Sequence, residues 1–126
     1  MNNRDKITEF TDLDTWKKAH DLALSVYKNT KNFPQSEQFG LTSQIRRAVV
    51  SITSNIAEGF GRQTMKEKLQ FYYIAHGSLT ETKNQIILAK DLYYLNMEDF
   101  EMIMLQSVTV QKLLRGLINK SKTFLN

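Results

Sequence analysis

The chain has 126 residues and no cysteine, enough for one domain that buries a core without disulfide staples and a composition that fits a reducing compartment. Lys and Arg number 17 against 13 Asp and Glu, a formal charge of +4 with a pI near 9.3, which biases the protein toward polyanions but falls well short of an arginine-rich arm. The opening MNNRDKITEF is polar and without an apolar signal core, and no stretch approaches the length of a bilayer span, so a soluble, cytoplasmic protein with no membrane contact is expected.

One proline and five glycines leave few interruptions, and these divide the chain into four amphipathic segments at about 14–31, 41–59, 64–95 and 97–122. The first starts near Asp14 and places Trp16, Ala19, His20, Ala23, Val26, Tyr27 and Thr30 on one face. Lys17, Lys18, Asp21 and Lys28 face water, and the segment stops before the Phe33-Pro34 corner. The second carries Leu41, Ile45, Ala48, Val49, Ile52, Ile56 and Phe60 on its core face, and Gly59 and Gly61 are expected to end it with a left-handed backbone. The third is long for a globular helix, with a stripe of Phe71, Ala75, Ser78, Leu79, Thr82, Ile86, Ala89 and Tyr93. Gly77 inside it costs about 1 kcal/mol against Ala, so a close approach by another backbone is expected there. The fourth opens on an Asn96 cap with Glu98, Asp99 and Glu101 and closes on Lys120 and Lys122, a charge order that suits the helix dipole. Phe100, Ile103, Ser107, Val110, Leu114, Leu117, Ile118 and Leu125 form its buried stripe.

Four apolar stripes joined by short connections predict an all-α, antiparallel up-down-up-down four-helix bundle forming a single domain. Two helices are apolar on a second side as well: Ser43, Val50, Thr53, Ser54 and Ala57 on the second, and Leu69, Tyr73, His76, Ile87 and Tyr94 on the third. A helix apolar on two sides is buried on two sides. Val50, Thr53, Ala57, Leu69, Tyr73 and Ile87 are therefore expected to form a heterologous contact between subunits.

The run from Phe33 to Arg62, FPQSEQFGLTSQIRRAVVSITSNIAEGFGR, followed by Phe71, the segment IAHGSLTE and Gln85, resembles the four-helix bundle proteins encoded in 23S rRNA intervening sequences, often labelled ribosomal. The resemblance covers about residues 13–95. It implies a four-helix protomer, a homopentamer and no established enzymatic activity. That family is similar to the accessory variability protein of diversity-generating retroelements, a basic pentamer that binds a reverse transcriptase and nucleic acid. One departure is Thr53, where the family commonly has proline; without the kink of a proline the second helix is expected to run straighter.

Constellations for catalysis are weak. Ser51, Asn55 and Glu58 lie at helical spacing opposite Ser78, Glu81 and Thr82, and read as an inter-helix polar network that fixes register, with Glu58 buried and paired. A di-metal bundle site needs acids three residues before its histidines, and neither His20 nor His76 has one; His20 is expected as a packed, hydrogen-bonded core-edge residue. No cysteine is present, no serine sits in a nucleophile elbow, and Gly59-Phe60-Gly61-Arg62 lacks the phosphate-loop spacing and lysine. No enzyme, cofactor or metal is expected.

Basic residues remain: Arg46 and Arg47 off the core face, Arg62, Lys66 and Lys68 around the next turn, and Lys112, Arg115, Lys120 and Lys122 in an acid-free stretch over 102–126. Repeated around a ring, such patches attract RNA or DNA phosphates without reading sequence. Arg46, Arg47, Arg62, Lys66, Lys68, Lys112 and Arg115 are the candidate nucleic-acid contacts. The alternative is a scaffold that recruits a protein partner and has no nucleic-acid role.

Overall fold

The computed structural model describes residues 6–125; Met1 to Asp5, in the polar opening stretch, lie outside the described residues. Four α-helices follow in order: α1 (Asp14–Thr30), α2 (Leu41–Gly61), α3 (Met65–Asp91) and α4 (Met97–Lys122), with single 3-10 turns at Phe10–Asp12 and Gln35–Glu37. Each helix packs on its chain neighbours, and α1 closes the square against α4. Cross-helix contacts run in opposite sequence directions between α2 and α3 and between α3 and α4. Ser51 meets Ser78 while Gly59 meets Tyr72; Lys90 meets Phe100, Lys83 meets Gln111 and Lys122 meets Tyr73. The molecule is an antiparallel four-helix bundle.

Its centre is filled by Leu22, Val26, Ile45, Val49, Ile52, Ile56, Leu79, Ile86, Ile103, Val110 and Leu114, all fully buried. The α1 stripe sits rotated from its expected position. Leu22 is inside, whereas His20 and Tyr27 are exposed; His20 stacks flat on Trp16 with centroids 4.7 Å apart instead of joining a buried hydrogen-bond set. Leu125 is exposed, because α4 ends at Lys122 and the stripe extrapolates beyond the helix.

Leu69 belongs to the core at 5 % exposure, which corrects its expected place at a subunit contact. It lies in the second turn of α3, where the buried face has drifted around the helix relative to the stripe of Ala75, Leu79, Thr82 and Ile86.

The glycines act differently from their expected roles. No described glycine has a positive φ. Gly59 lies within the last turns of α2, which continues to Gly61, and a Cβ there would stand 2.7 Å from Cε1 of buried Tyr72 and 3.0 Å from Cβ of Phe71. The close helix crossing is thus at Gly59 and not at Gly77, whose Cβ position has nothing within 4 Å.

α3 stops at Asp91 and not near Leu95 because of its own termination chemistry. The Tyr94 N–H donates to Ala89 O at 2.9 Å and the Tyr93 N–H to Lys90 O at 2.9 Å, the paired bonds of a Schellman motif. That motif needs a left-handed residue at its corner, and the position is held by Tyr93 with φ 64. Tyr93, expected in the core stripe, is therefore thrown outward to 93 % exposure. α2 runs unbroken through Thr53, whose hydroxyl donates back to Val50 O at 3.0 Å.

Candidate nucleic-acid interface

Three of the seven candidate cations work inside the fold. Arg46, in the second turn of α2, donates from Nε to Thr30 Oγ1 at 2.9 Å and from Nη2 to Tyr27 O at 3.4 Å, with its guanidinium 4.6 Å from the Tyr27 ring centroid. It closes the C-terminal end of α1, where carbonyls lack helical partners and carry partial negative charge. Lys68 does the same for α2, donating to Phe60 O at 2.5 Å and Gly59 O at 3.4 Å. Partial burial there pulls its pKa below the usual lysine value. Arg62 pairs with Glu58 at 3.2 Å and Glu67 at 3.9 Å and lies 4.7 Å from the Phe71 ring centroid.

The other four are differently placed. Arg47, Lys66, Lys112 and Arg115 are exposed, and none belongs to an ion pair among the described residues. Lys112, Arg115 and Lys122 fall on one outward stripe of α4 at steps of three and seven residues. The stripe extends about 15 Å along the helix at 1.5 Å per residue. The acids of α4, Glu98, Asp99 and Glu101, all sit at its other end, so the helix is polarised along its length. Beside Lys122, across the seam to α3, Tyr73 presents a ring 48 % exposed, with the Lys122 ammonium 5.6 Å from its centroid.

The polar network has a smaller membership than the sequence predicts. Ser51 Oγ lies 2.7 Å from Ser78 Oγ, and Asn55 Nδ2 donates to Ser51 O at 2.8 Å and Ser51 Oγ at 3.0 Å. Thr82, fully buried, donates to Ser78 O at 2.8 Å. Glu58 and Glu81 stand outside it. Glu58 is exposed and pairs with Arg62 one turn on; Glu81 is exposed and accepts from Gln85 at 3.3 Å within α3. Water competes for both carboxylates at no desolvation cost, so the small hydroxyls and one amide carry the inter-helix bonding. This is register chemistry between α2 and α3, with no acid–base pair.

The remaining expected interface residues lie on opposite flanks of the α2–α3 pair. Val50, Thr53 and Ala57 follow Arg46 at helical spacing along the α1 side of α2, all partly or largely exposed. Tyr73 and Ile87, four turns apart, lie on the α4 side of α3, at 48 % and 40 % exposure.

Sequence reading missed Glu37. Its Oε1 accepts from the Leu41 N–H at 3.1 Å, capping α2, and its Oε2 accepts from the Tyr94 hydroxyl at 2.9 Å. That hydrogen bond, with burial, raises the Tyr94 pKa above the ordinary tyrosine value. Tyr94 also packs on Phe33 with centroids 5.4 Å apart. One carboxylate thus ties the α1–α2 corner to the end of α3; an acid four residues before a helix start was the available signal.

The fold is thus an antiparallel four-helix bundle with a register-fixing polar seam, closed helix ends and a cationic stripe on α4 that has no ion pair among the described residues. Residues 11–116 match the family model described as 23S rRNA-intervening sequence protein, and the chain belongs to that family. Among solved structures, it is similar to a protein of unknown function from the S23 ribosomal protein family of Bacteroides thetaiotaomicron VPI-5482, at 24 % identity and TM-score 0.76, over 83 % of this chain and 95 % of that one. That likeness concerns the fold. The comparison with curated proteins gives no match.

Proposed function

We propose that this protein is a non-enzymatic, cytoplasmic module that assembles as a homopentamer and holds nucleic acid against the cationic stripe of α4. The observation that carries the reading is the last half of that helix: Lys112, Arg115, Lys120 and Lys122 are exposed, and the stretch contains no acid. Alone, such a stripe is a modest field, and exposed lysines are ordinary. Around a symmetry axis it repeats, and charges converging on one long polyanion add their counterion release. The two separated apolar flanks, Val50 with Thr53 and Ala57 on one and Ile87 on the other, support a heterologous contact, which joins two different patches and closes as a ring. Of the seven candidate cations Arg47, Lys66, Lys112 and Arg115 stay available, because Arg46, Arg62 and Lys68 already have partners in the protomer, and Lys112 and Arg115 join Lys120 and Lys122 on α4.

Native mass spectrometry gives the subunit number, and fluorescence anisotropy of a labelled RNA hairpin gives binding. A pentamer whose RNA affinity collapses in the Lys112→Glu/Arg115→Glu double variant is the expected result. A monomer at micromolar concentration removes the ring. An intact pentamer that ignores RNA moves the reading to a scaffold for a protein partner.

A further inference from the structure

We propose that the seam between α3 and α4 beside Tyr73 selects single-stranded over duplex nucleic acid, by stacking an unpaired base on that ring while the phosphates lie along Lys112, Arg115 and Lys122. This rests on the nucleic-acid reading above and specifies its ligand. Tyr73 is half exposed although the bundle has a filled core, and it makes no side-chain hydrogen bond among the described residues. The Lys122 ammonium stands 5.6 Å from its centroid, so a cation and an aromatic platform occupy one spot. Helical side chains lean toward the N-terminus, so the turn after Tyr73 governs access to the ring. That turn holds Gly77, with nothing within 4 Å of its Cβ position. Gly77 itself adds no side chain over the ring.

The combination fits a strand with free bases. Base–aromatic stacking is indifferent to sequence because every base has a π face, and a neighbouring ammonium meets the phosphate of the same nucleotide. A duplex keeps its bases stacked on each other and offers this platform only phosphates, so the ring adds nothing to duplex binding. Arg115 and Lys112 continue the phosphate track along the outward stripe of α4, and the acids Glu98, Asp99 and Glu101 lie beyond its far end.

The test uses the full-length protein and three labelled probes: an oligouridine strand of about 12 nucleotides, within the range a single-strand module covers, a matching strand with abasic positions, and an RNA duplex of the same length. Tyr73→Ala is expected to weaken the oligouridine complex about five- to 150-fold, the worth of one stacked base, and to leave duplex and abasic affinities unchanged. Tyr73→Phe restores oligouridine binding. Circular dichroism and melting check that each variant folds. The wild-type protein tests the idea without any variant: equal affinity for the abasic and oligouridine strands overturns it. Unchanged oligouridine binding by folded Tyr73→Ala, with Lys112→Ala/Arg115→Ala weakening all three probes, overturns the stacking proposal and leaves the nucleic-acid reading standing. If Lys112→Ala/Arg115→Ala changes none of them, that reading falls and the stacking proposal with it.

Discussion

Two glycine-to-alanine substitutions should move stability in opposite directions. Gly77 sits in the interior of α3 with nothing within 4 Å of its Cβ position. Gly77→Ala therefore collects the full helix-propensity difference, a gain of about 1 kcal/mol. For a domain of this size that raises the thermal midpoint by about 4 °C. Gly59→Ala collects the same propensity but puts a methyl group 2.7 Å from Cε1 of Tyr72 and 3.0 Å from Cβ of Phe71. The Tyr72 ring is 2 % exposed and cannot swing away, and the Phe71 atom is fixed to its own backbone. Overpacking of that kind costs about 1–3 kcal/mol, so the net is a loss of about 1 kcal/mol, on the order of 4 °C downward. Urea and thermal unfolding at one fixed protein concentration measure both, because assembly adds a concentration-dependent contribution. A Gly59→Ala protein stabilised as much as Gly77→Ala would refute the close crossing of α2 and α3. Destabilisation by Gly77→Ala only at concentrations where subunits associate would place Gly77 in a subunit contact.

Tyr93→Gly should stabilise the protein by about 0.5–1 kcal/mol in the same assay, since a left-handed non-glycine residue is strained and this side chain, 93 % exposed, gives up almost no packing; a loss of stability would contradict the strain argument. Glu37→Ala removes the cap on the Leu41 N–H and the acceptor for the Tyr94 hydroxyl, and should cost about 1–2 kcal/mol in urea unfolding; a midpoint within error of wild type would show that the corner is not pinned there. The Tyr94 pKa is raised in the folded state, chiefly by its bond to Glu37, from an ordinary value of 10.0. Its contribution is therefore full below pH 10 and is lost as pH rises through the folded-state value, because the unfolded chain gives up the proton first. Tyr72 shifts the same way through burial. Stability measured above pH 10 should fall more steeply in wild type than in Tyr94→Phe, and equal slopes would remove the Tyr94–Glu37 linkage.

The helices and their order were legible because four apolar stripes have one economical packing, and the Asn96 cap and the charge order of α4 marked its start. The rotation of α1 was not: Leu22 and His20 lie two residues apart, and only the packed partners decide which of them turns inward. The end of α3 was hidden for a different reason. A Schellman corner is announced by glycine, and here a tyrosine pays the left-handed strain, so Tyr93 read as one more stripe residue. The candidate site was legible as charge and illegible as availability. Arg46, Arg62 and Lys68 look as free as Lys112 and Arg115 in the sequence, and only helix ends brought together in space show that two of them close carbonyls and the third pairs with Glu58. The pairing of Tyr73 with Lys122 spans two helices and depends on their antiparallel register.

Availability also decides which variants inform. Lys68→Ala removes a donor to the end of α2, so lost binding in that variant would report fold as much as contact, and the exposed cations of α4 are the clean targets.

The most direct measurement is the slope of log affinity against log salt for RNA bound to the intact protein, for wild type and for Lys112→Ala, Arg115→Ala and Lys122→Ala singly. Neutralising several phosphates makes the wild-type slope steep, and each lost cation should flatten it by about one while weakening all sequences alike. A flat slope, or slopes that the three substitutions leave unchanged, would contradict the α4 stripe as the nucleic-acid surface.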